Sequence, residues 1–517
     1  MKRKVFFMML LAAMTALCAC TSGTNGGNNG SDKVYYGGNI TIGITQDLDS
    51  LDPHKAVAAG TKEVLYNIFE GLIKVTKDGE FAPAVAESYT ISEDGKEYDF
   101  VLRKNVRFHN GKTVTAEDVI YSLKRVAGML ETEEPDVSKI AAFSIISDIT
   151  KTDNGVKVTL TEPNTELIGY FTSSIIPCDY ADQATAPVGT GPFKFVSYSA
   201  LQNIIVAKNE DYYIKGVPYL DQVTFKICAN TDAAFMELMG GGIDILPYLT
   251  NDQANQLKGK MDVVDGTMNL VQALFLNNAV APFDNLKVRQ AICYAINRQE
   301  IINLVAGGKG VIIGTNMFPS FSKYYDETLV DAYPYNVDKA KELLKEAGYP
   351  DGFSFTITIP SNYEFHVRTG EVIVEQLKKV GIKAEIKLVE WASWISDVYV
   401  GRDYETTIIG LDSKMAPSDV LRFYPTTASK NFVNYFNNDF DALFEKAQKA
   451  VNEDEKAGYY KQLEKKLTED AVSAYLQSPA QLVAINKDLG GYCFYPIYVQ
   501  DMSTIYFKTE PPKQNDQ

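Results

Sequence analysis

Strand-type and helix-type hydrophobic patterns alternate along this chain, and the alternation limits it to folds in which helices cover mixed sheets. "NITIGI" sets Ile40, Ile42 and Ile44 on one side of a half-buried strand, and "TKEVLYNIFEGLIKV" after it spaces Val64, Ile68 and Leu72 as one helix face. "SEDGKEYDFVLR" reads as a turn leading into a strand. "TAEDVIYSLKRVA" opens with Thr115 and Asp118 at capping-box spacing and carries Ile120, Leu123 and Ala127 on one stripe, which predicts a helix. Further on, "DKAKELLKEAGYPDG" ends with Gly348 and Pro350 at helix-stop positions, the strand "FTITIPS" follows, and "GEVIVEQLKKVGIKAEIKLVEW" repeats the order. The class is α/β. A chain of 517 residues exceeds what one hydrophobic core serves, so two or three subdomains are expected, and the regular αβ alternation from 285 to 390 marks a second lobe distinct from a strand-richer first half. The charged stretch from Asp439 to Asp470 reads as solvated helix surface laced with i to i+4 pairs.

The N-terminus has a different character. Lys2, Arg3 and Lys4 precede an apolar run from Val5 to Leu17, and small residues lead to Cys20, which is the pattern of a secretion signal. The run falls short of the roughly 20 apolar residues that cross a bilayer. Leu17, Cys18, Ala19 and Cys20 resemble a bacterial lipobox, which implies that Cys20 is diacylated and becomes the new N-terminus. A metal or redox pair would need partner ligands at characteristic spacing, and C-x-C has none nearby. Thr21 to Asp32 is a polar Gly/Asn/Ser/Thr tether. The expected product is extracytoplasmic and lipid-anchored to the membrane, since two acyl chains hold where one does not.

Charge excludes other partners. With 50 Lys and Arg against 66 Asp and Glu, a net charge of −16, the chain lacks the basic surface that nucleic acid requires. Cys178, Cys228, Cys293 and Cys493 have no clustered spacing, so scattered thiols are as reasonable as disulfides even in an exported protein.

Catalytic signatures are missing as well. The three histidines, His54, His109 and His366, lie far apart, and no H-E-x-x-H, G-x-S-x-G or G-x-x-x-x-G-K-[ST] occurs. "VGTGPFKF" at Val188 lacks the third glycine of a dinucleotide site and reads as a tight crossover turn, and "GGKGVIIG" at Gly307 reads as a helix C-cap. The two tryptophans, Trp391 and Trp394, stand three apart and fit either core packing or the wall of a ligand cleft. No cofactor is expected.

"APAVAESYTISEDGKEYDFVLRKNVRFHNGKTVTAEDVIYSLKRV", from Ala82 to Val126, resembles the signature of the family 5 extracellular solute-binding proteins, the peptide- and nickel-type receptors of ABC importers. "VGTGPFKF", "YLDQVTFKI" at Tyr219, "GGIDIL" at Gly241, "FDNLKVRQAICYAINRQEI" at Phe283 and "AKELLKEAGYPDG" at Ala340 continue the likeness in order. The resemblance implies a two-lobed periplasmic-binding-protein-like fold with mixed sheets and an extra subdomain inserted in lobe one. The expected limits are signal 1–19, lipidated Cys20 and tether 20–33, lobe one 34–79 and 188–283, inserted subdomain 80–187, lobe two 284–493, and a return of C-terminal strands to lobe one over 494–517. It also implies an ABC permease and ATPase subunits as partners of a monomeric receptor for short peptides.

A peptide between two lobes is held largely by backbone hydrogen bonds, and its buried amino group needs an acidic partner. Peptide receptors of the family carry a G-W-x-x-D-type stretch for this purpose. Here it reads "GLDSKMAPSDV" from Gly410, with Leu411 in place of Trp and Lys414 in the aspartate's place, while Asp412 lies two residues earlier. Either Asp412 pairs with the amine, or Lys414 meets a ligand carboxylate. Trp391 and Trp394 are expected as cleft wall, and Tyr66 and Asn67, in the family's "YNIFEGL" stretch, as lobe-one contacts. An oligosaccharide, metal chelate or organic acid is the alternative ligand. A surface-tethered hydrolase and an adhesion lipoprotein are the rival classes.

Overall fold

The computed structural model describes residues 33–512 apart from 133, 268 and 414. Cys20, the signal-like segment and all but the last residue of the tether therefore lie outside the described residues, as does Lys414.

One 12-stranded mixed sheet runs through both lobes, and the long strand Ser473–Ile485 joins them. Its N-terminal half pairs antiparallel with Val271–Leu276, and its C-terminal half with Asp262–Thr267 and Ile245–Leu246. On the lobe-two side the order continues from Val271–Leu276 to Thr406–Leu411, Ser354–Pro360 and Lys383–Val389. On the lobe-one side it runs through Ile245–Leu246 and Asn39–Ile44 to Gln222–Ile227, Asn203–Lys208 and Phe193–Ser199. Partners thus change at 267/271 and 477/480. The limits expected from sequence, 283/284 and 493/494, fall later, because strand Val271–Leu276 shows no alternation that would separate it from what precedes it.

That absence of alternation has a packing cause. All six residues of Val271–Leu276 are buried; Val271, Ala273 and Phe275 enter one core with Trp394, Phe432 and Tyr460, whereas Leu274 and Leu276 enter another with Ile292, Ile357 and Ile373. A strand covered by helices on both faces has no polar side. In lobe one, Val483 and Ile485 of the long strand pack with Ile42, Val64 and Phe225, while Leu482 and Ala484 face Phe235 and Leu257.

The inserted subdomain has its own four-stranded antiparallel sheet, ordered Ala86–Ile91, Glu97–Leu102, Gly155–Leu160, Ile146–Lys151. Helix Ala116–Ala127 covers it. The Thr115/Asp118 capping box is formed at the helix start, and Gly128, at φ 70°, closes the end in the left-handed region open to glycine.

Two sequence expectations need correction. The glycines of "VGTGPFKF" serve close approach and not a turn: a Cβ on Gly189 would sit 2.1 Å from the Ile68 carbonyl oxygen, and one on Gly191 2.6 Å from that of Asn67. The C-terminal return is not strands across Tyr495 to Phe507, because only Tyr506–Phe507 pairs, with Leu489–Gly490, and most of the stretch before it is irregular. Of the four cysteines, Cys178, Cys228 and Cys293 are free thiols.

Candidate functional site

Where the lobes meet, Tyr248, Asn269, Gln481 and the segment from Tyr492 to Val499 line a space of about 10 Å3, room for about one water. Asn269 and Gln481 belong to the two crossings between lobes, so the space lies at the hinge. Asn67 fixes the segment there. Its Nδ2 donates to the carbonyl oxygens of Val64 at 3.2 Å and Gln500 at 2.8 Å, and its Oδ1 accepts from the Met502 N–H at 2.9 Å. Asn67 is 0% exposed and its capacity is spent inside the protein, so it is a tie between the first helix and the C-terminal segment and not the ligand contact expected from sequence. Tyr66, half-buried at the end of the same helix, has its ring 6.1 Å from that of Tyr495 and stands behind the pocket wall.

Lobe two carries the other residues expected at the site. Strand Thr406–Leu411 ends one residue before Asp412, and the Gly410 N–H donates to Nε2 of His366 at 3.1 Å. Burial pushes the His366 pKa down to about 3, so the ring is neutral, and its Nδ1 lies 2.9 Å from Gln272 Nε2. This neutral ring holds the strand end and thereby the position of Asp412, which is exposed. Trp391 is 39% exposed, meets Tyr363 edge-on at 5.3 Å and stacks on Trp394 at 5.1 Å. Trp394 is only 2% exposed and donates its indole N–H to Thr407 Oγ1 at 2.9 Å. The tryptophan pair therefore divides: Trp391 presents an open face, and Trp394 is core behind it, which corrects its placement in the wall.

Sequence reasoning missed Glu63, one residue from the apolar stripe of the first helix. Its side chain is 4% exposed, its Oε1 accepts from the Tyr248 hydroxyl, and no ion pair to it occurs among the described residues. Burial pushes its pKa up to about 7, which the Tyr248 hydrogen bond only partly opposes. Tyr248 itself is 41% exposed on the ring side and adopts φ 63°, a left-handed backbone that costs a bulky residue on the order of 1 kcal/mol and is retained where surroundings impose it. Burial chiefly raises the Tyr498 pKa, and the charges of Asp412 and Glu63 raise it further. Glu63 and Tyr248 lie 185 residues apart in the chain, and no local pattern could have paired them.

Beyond the pocket the inserted subdomain rests on lobe two. Glu166 Oε2 accepts from the Ser418 N–H at 2.9 Å and Oε1 from the Tyr460 hydroxyl at 2.5 Å, Lys456 reaches Thr165 Oγ1, and Lys449 pairs with Glu162 at 3.3 Å. The lobes are closed on each other in this state. Among the described residues no group of three or more His, Cys, Asp or Glu side chains is placed to hold a metal.

Residues 80–434 match the model of the bacterial extracellular solute-binding proteins, family 5, middle region. The chain belongs to this family. It is 26% identical to the oligopeptide-binding protein AppA of Bacillus subtilis over 96% of this chain and 97% of that one. It is 31% identical to heme-binding protein A of Haemophilus influenzae over 76% of this chain and 78% of that one. The periplasmic binding protein DppA of Helicobacter pylori, solved in complex with peptide STSA, superposes with a TM-score of 0.78 at 27% identity, covering 92% of this chain and 99% of that one. The family's chains capture solutes outside the cytoplasm for ABC importers, and these relatives are solute-binding proteins, not enzymes.

Proposed function

We propose that this solute-binding protein takes short peptides between its lobes and delivers them to its permease in the closed form. The observation that carries the reading is the space at the hinge lined by Tyr248, Asn269, Gln481 and the tyrosine-rich segment Tyr492–Val499, with the exposed carboxylate Asp412 and the part-exposed Trp391 on lobe two outside that lining. Asp412 takes the ligand's amino group, an ammonium that would be costly to bury unpaired. Lys414, two residues on in the sequence, is the alternative anchor, for a ligand carboxylate. The peptide names carried by the AppA and DppA relatives support this reading; the heme-binding relative supports a non-peptide ligand instead.

Mass spectrometry of small molecules released by denaturing protein produced from Ser31 onward tests the class. A mixture of peptides is expected; a single non-peptide acid, glycan or chelate overturns the reading. We further propose a monomer anchored by diacylated Cys20, for which a Cys20→Ser chain leaves the membrane fraction and carries no lipid label. Saturable hydrolysis of a bound peptide would place the protein among hydrolases.

A further inference from the structure

We infer that the inserted subdomain is a clasp: it grips lobe two away from the hinge, holds the protein shut before any solute arrives, and so sets affinity for every solute alike. The inference depends on closure of the lobes and not on which solute is captured. On the subdomain the gripping face is one piece. The turn at Gly95 and the stretch 162–166 are joined where the Asn164 N–H donates to the Gly95 carbonyl at 3.0 Å, and the Tyr98 hydroxyl, from the subdomain's own sheet, donates to the Asn164 carbonyl at 2.5 Å. The receiving face on lobe two is the loop 415–418 with the helices Asn438–Lys449 and Glu453–Glu469, whose charges the sequence pattern assigns to solvated surface.

The two faces fit closely. Glu166, 6% exposed, takes the Ser418 N–H on one oxygen and the Tyr460 hydroxyl on the other, and Lys456, 1% exposed, reaches Thr165 Oγ1. A Cβ on Gly169 would lie 3.2 Å from the Met415 carbonyl oxygen, and one on Gly95 3.2 Å from Val451 Cγ2. Ser418 is the second residue of the short helix Pro417–Leu421, and the first N–H groups of a helix have no acceptor within it, so closure supplies from the subdomain what the helix lacks. Opening returns these polar groups to water, which bonds them nearly as well, and an exposed ion pair such as Lys449 with Glu162 adds little. A polar face of this kind tilts the equilibrium between open and closed forms without locking it. Glu162, Glu166, Ser418, Lys449, Lys456 and Tyr460 all lie outside the lining of the hinge space. The clasp therefore changes the closed fraction, and through it the apparent dissociation constant of each solute by one common factor.

Hydrogen exchange at the Ser418 amide reads the clasp in protein stripped of solute by dialysis from denaturant. Wild type is compared with Glu162→Lys, Lys449→Glu and the doubly exchanged chain, all altered at the part-exposed rim. Slow exchange is expected in wild type, exchange about threefold to fivefold faster in each single reversal, and most of the protection regained in the double exchange. Lys449 also meets Glu445 of its own helix, so the regain is the deciding result. Strands Glu97–Leu102 and Gly155–Leu160 should exchange alike in all four chains, which shows the subdomain folded. An unprotected Ser418 amide in solute-free wild type, or reversals that change nothing, overturns the clasp. A random tetrapeptide pool offered to the same chains should be retained about threefold less by each single reversal, whatever the peptide sequence; a changed preference among peptides overturns the common factor. A pool that no chain retains overturns the peptide reading, and the exchange result still decides the clasp.

Discussion

At Glu63 burial taxes the fold, and the tax depends on pH in a direction opposite to that of ordinary carboxylates. Its folded pKa, about 7, lies above the ordinary value of 4.5, so the folded state binds the proton more tightly between these limits. The contribution is fully present below about pH 4.5 and is lost as pH rises through 7. Glu63→Gln should accordingly match wild type in denaturant unfolding near pH 5 and exceed it by up to about 3 kcal/mol at pH 8.5. Equal stabilities at both pH values would show that the carboxyl does not feel its burial. The two tryptophans make a paired prediction. Trp394→Ala, at a 2% exposed position, should cost about 3 to 5 kcal/mol of stability, whereas Trp391→Ala should leave stability within about 1 kcal/mol and lower ligand affinity. Calorimetric titration beside thermal melting of both variants separates the roles.

Secondary elements divide by how local their causes are. The capping box at Thr115 and Asp118 joins residues three apart, the alternation of Ile40, Ile42 and Ile44 is a period of two, and Gly348 ends its helix at φ 92°, so each was legible from a few neighbouring letters. Val271–Leu276 was not, because a strand buried on both faces has no period to detect. Asn67, in the turn after the helix Ala59–Leu65, was misread as a site, since what consumes its amide is Gln500 and Met502, more than 430 residues on. Removing that amide leaves the Met502 N–H and the Gln500 carbonyl unpaired in the interior. Asn67→Ala is expected to cost about 2 to 3 kcal/mol and to speed hydrogen exchange across residues 498–504 before any other segment. Exchange confined to the first helix would instead mean that the C-terminal segment is held by other contacts. Of the site residues, Asp412 was read from the family's stretch and Trp391 from the pair of tryptophans three apart, whereas Glu63 and Tyr248 meet only through the tertiary fold.

For the whole molecule, closure is a balance between ligand contacts at the hinge and contacts made by the inserted subdomain. Glu166 is central to the second set; burial raises its pKa, and the Tyr460 and Ser418 donors oppose that rise. Glu166→Ala removes both cross-lobe hydrogen bonds and should shift the ligand-free population toward the open form. Small-angle scattering is expected to show a larger radius of gyration for the variant without ligand and the same radius as wild type with it, together with an apparent affinity reduced by the fraction of closed protein lost. Identical ligand-free radii would assign closure to the hinge alone.

The long strand Ser473–Ile485 has a bearing on biogenesis. It lies near the C-terminal end of the described chain yet occupies the middle of the shared sheet, between Val271–Leu276 on one side and Ile245–Leu246 on the other. Neither lobe can complete its sheet until this last strand is available, so hundreds of residues wait on a pairing of high contact order. A nascent chain of this kind stays unfolded while it is threaded through a membrane and collapses into two lobes only near the end of translocation. A version ending at Asp470 should show no cooperative unfolding transition in either half, although it keeps every residue of the inserted subdomain and nearly all of both cores.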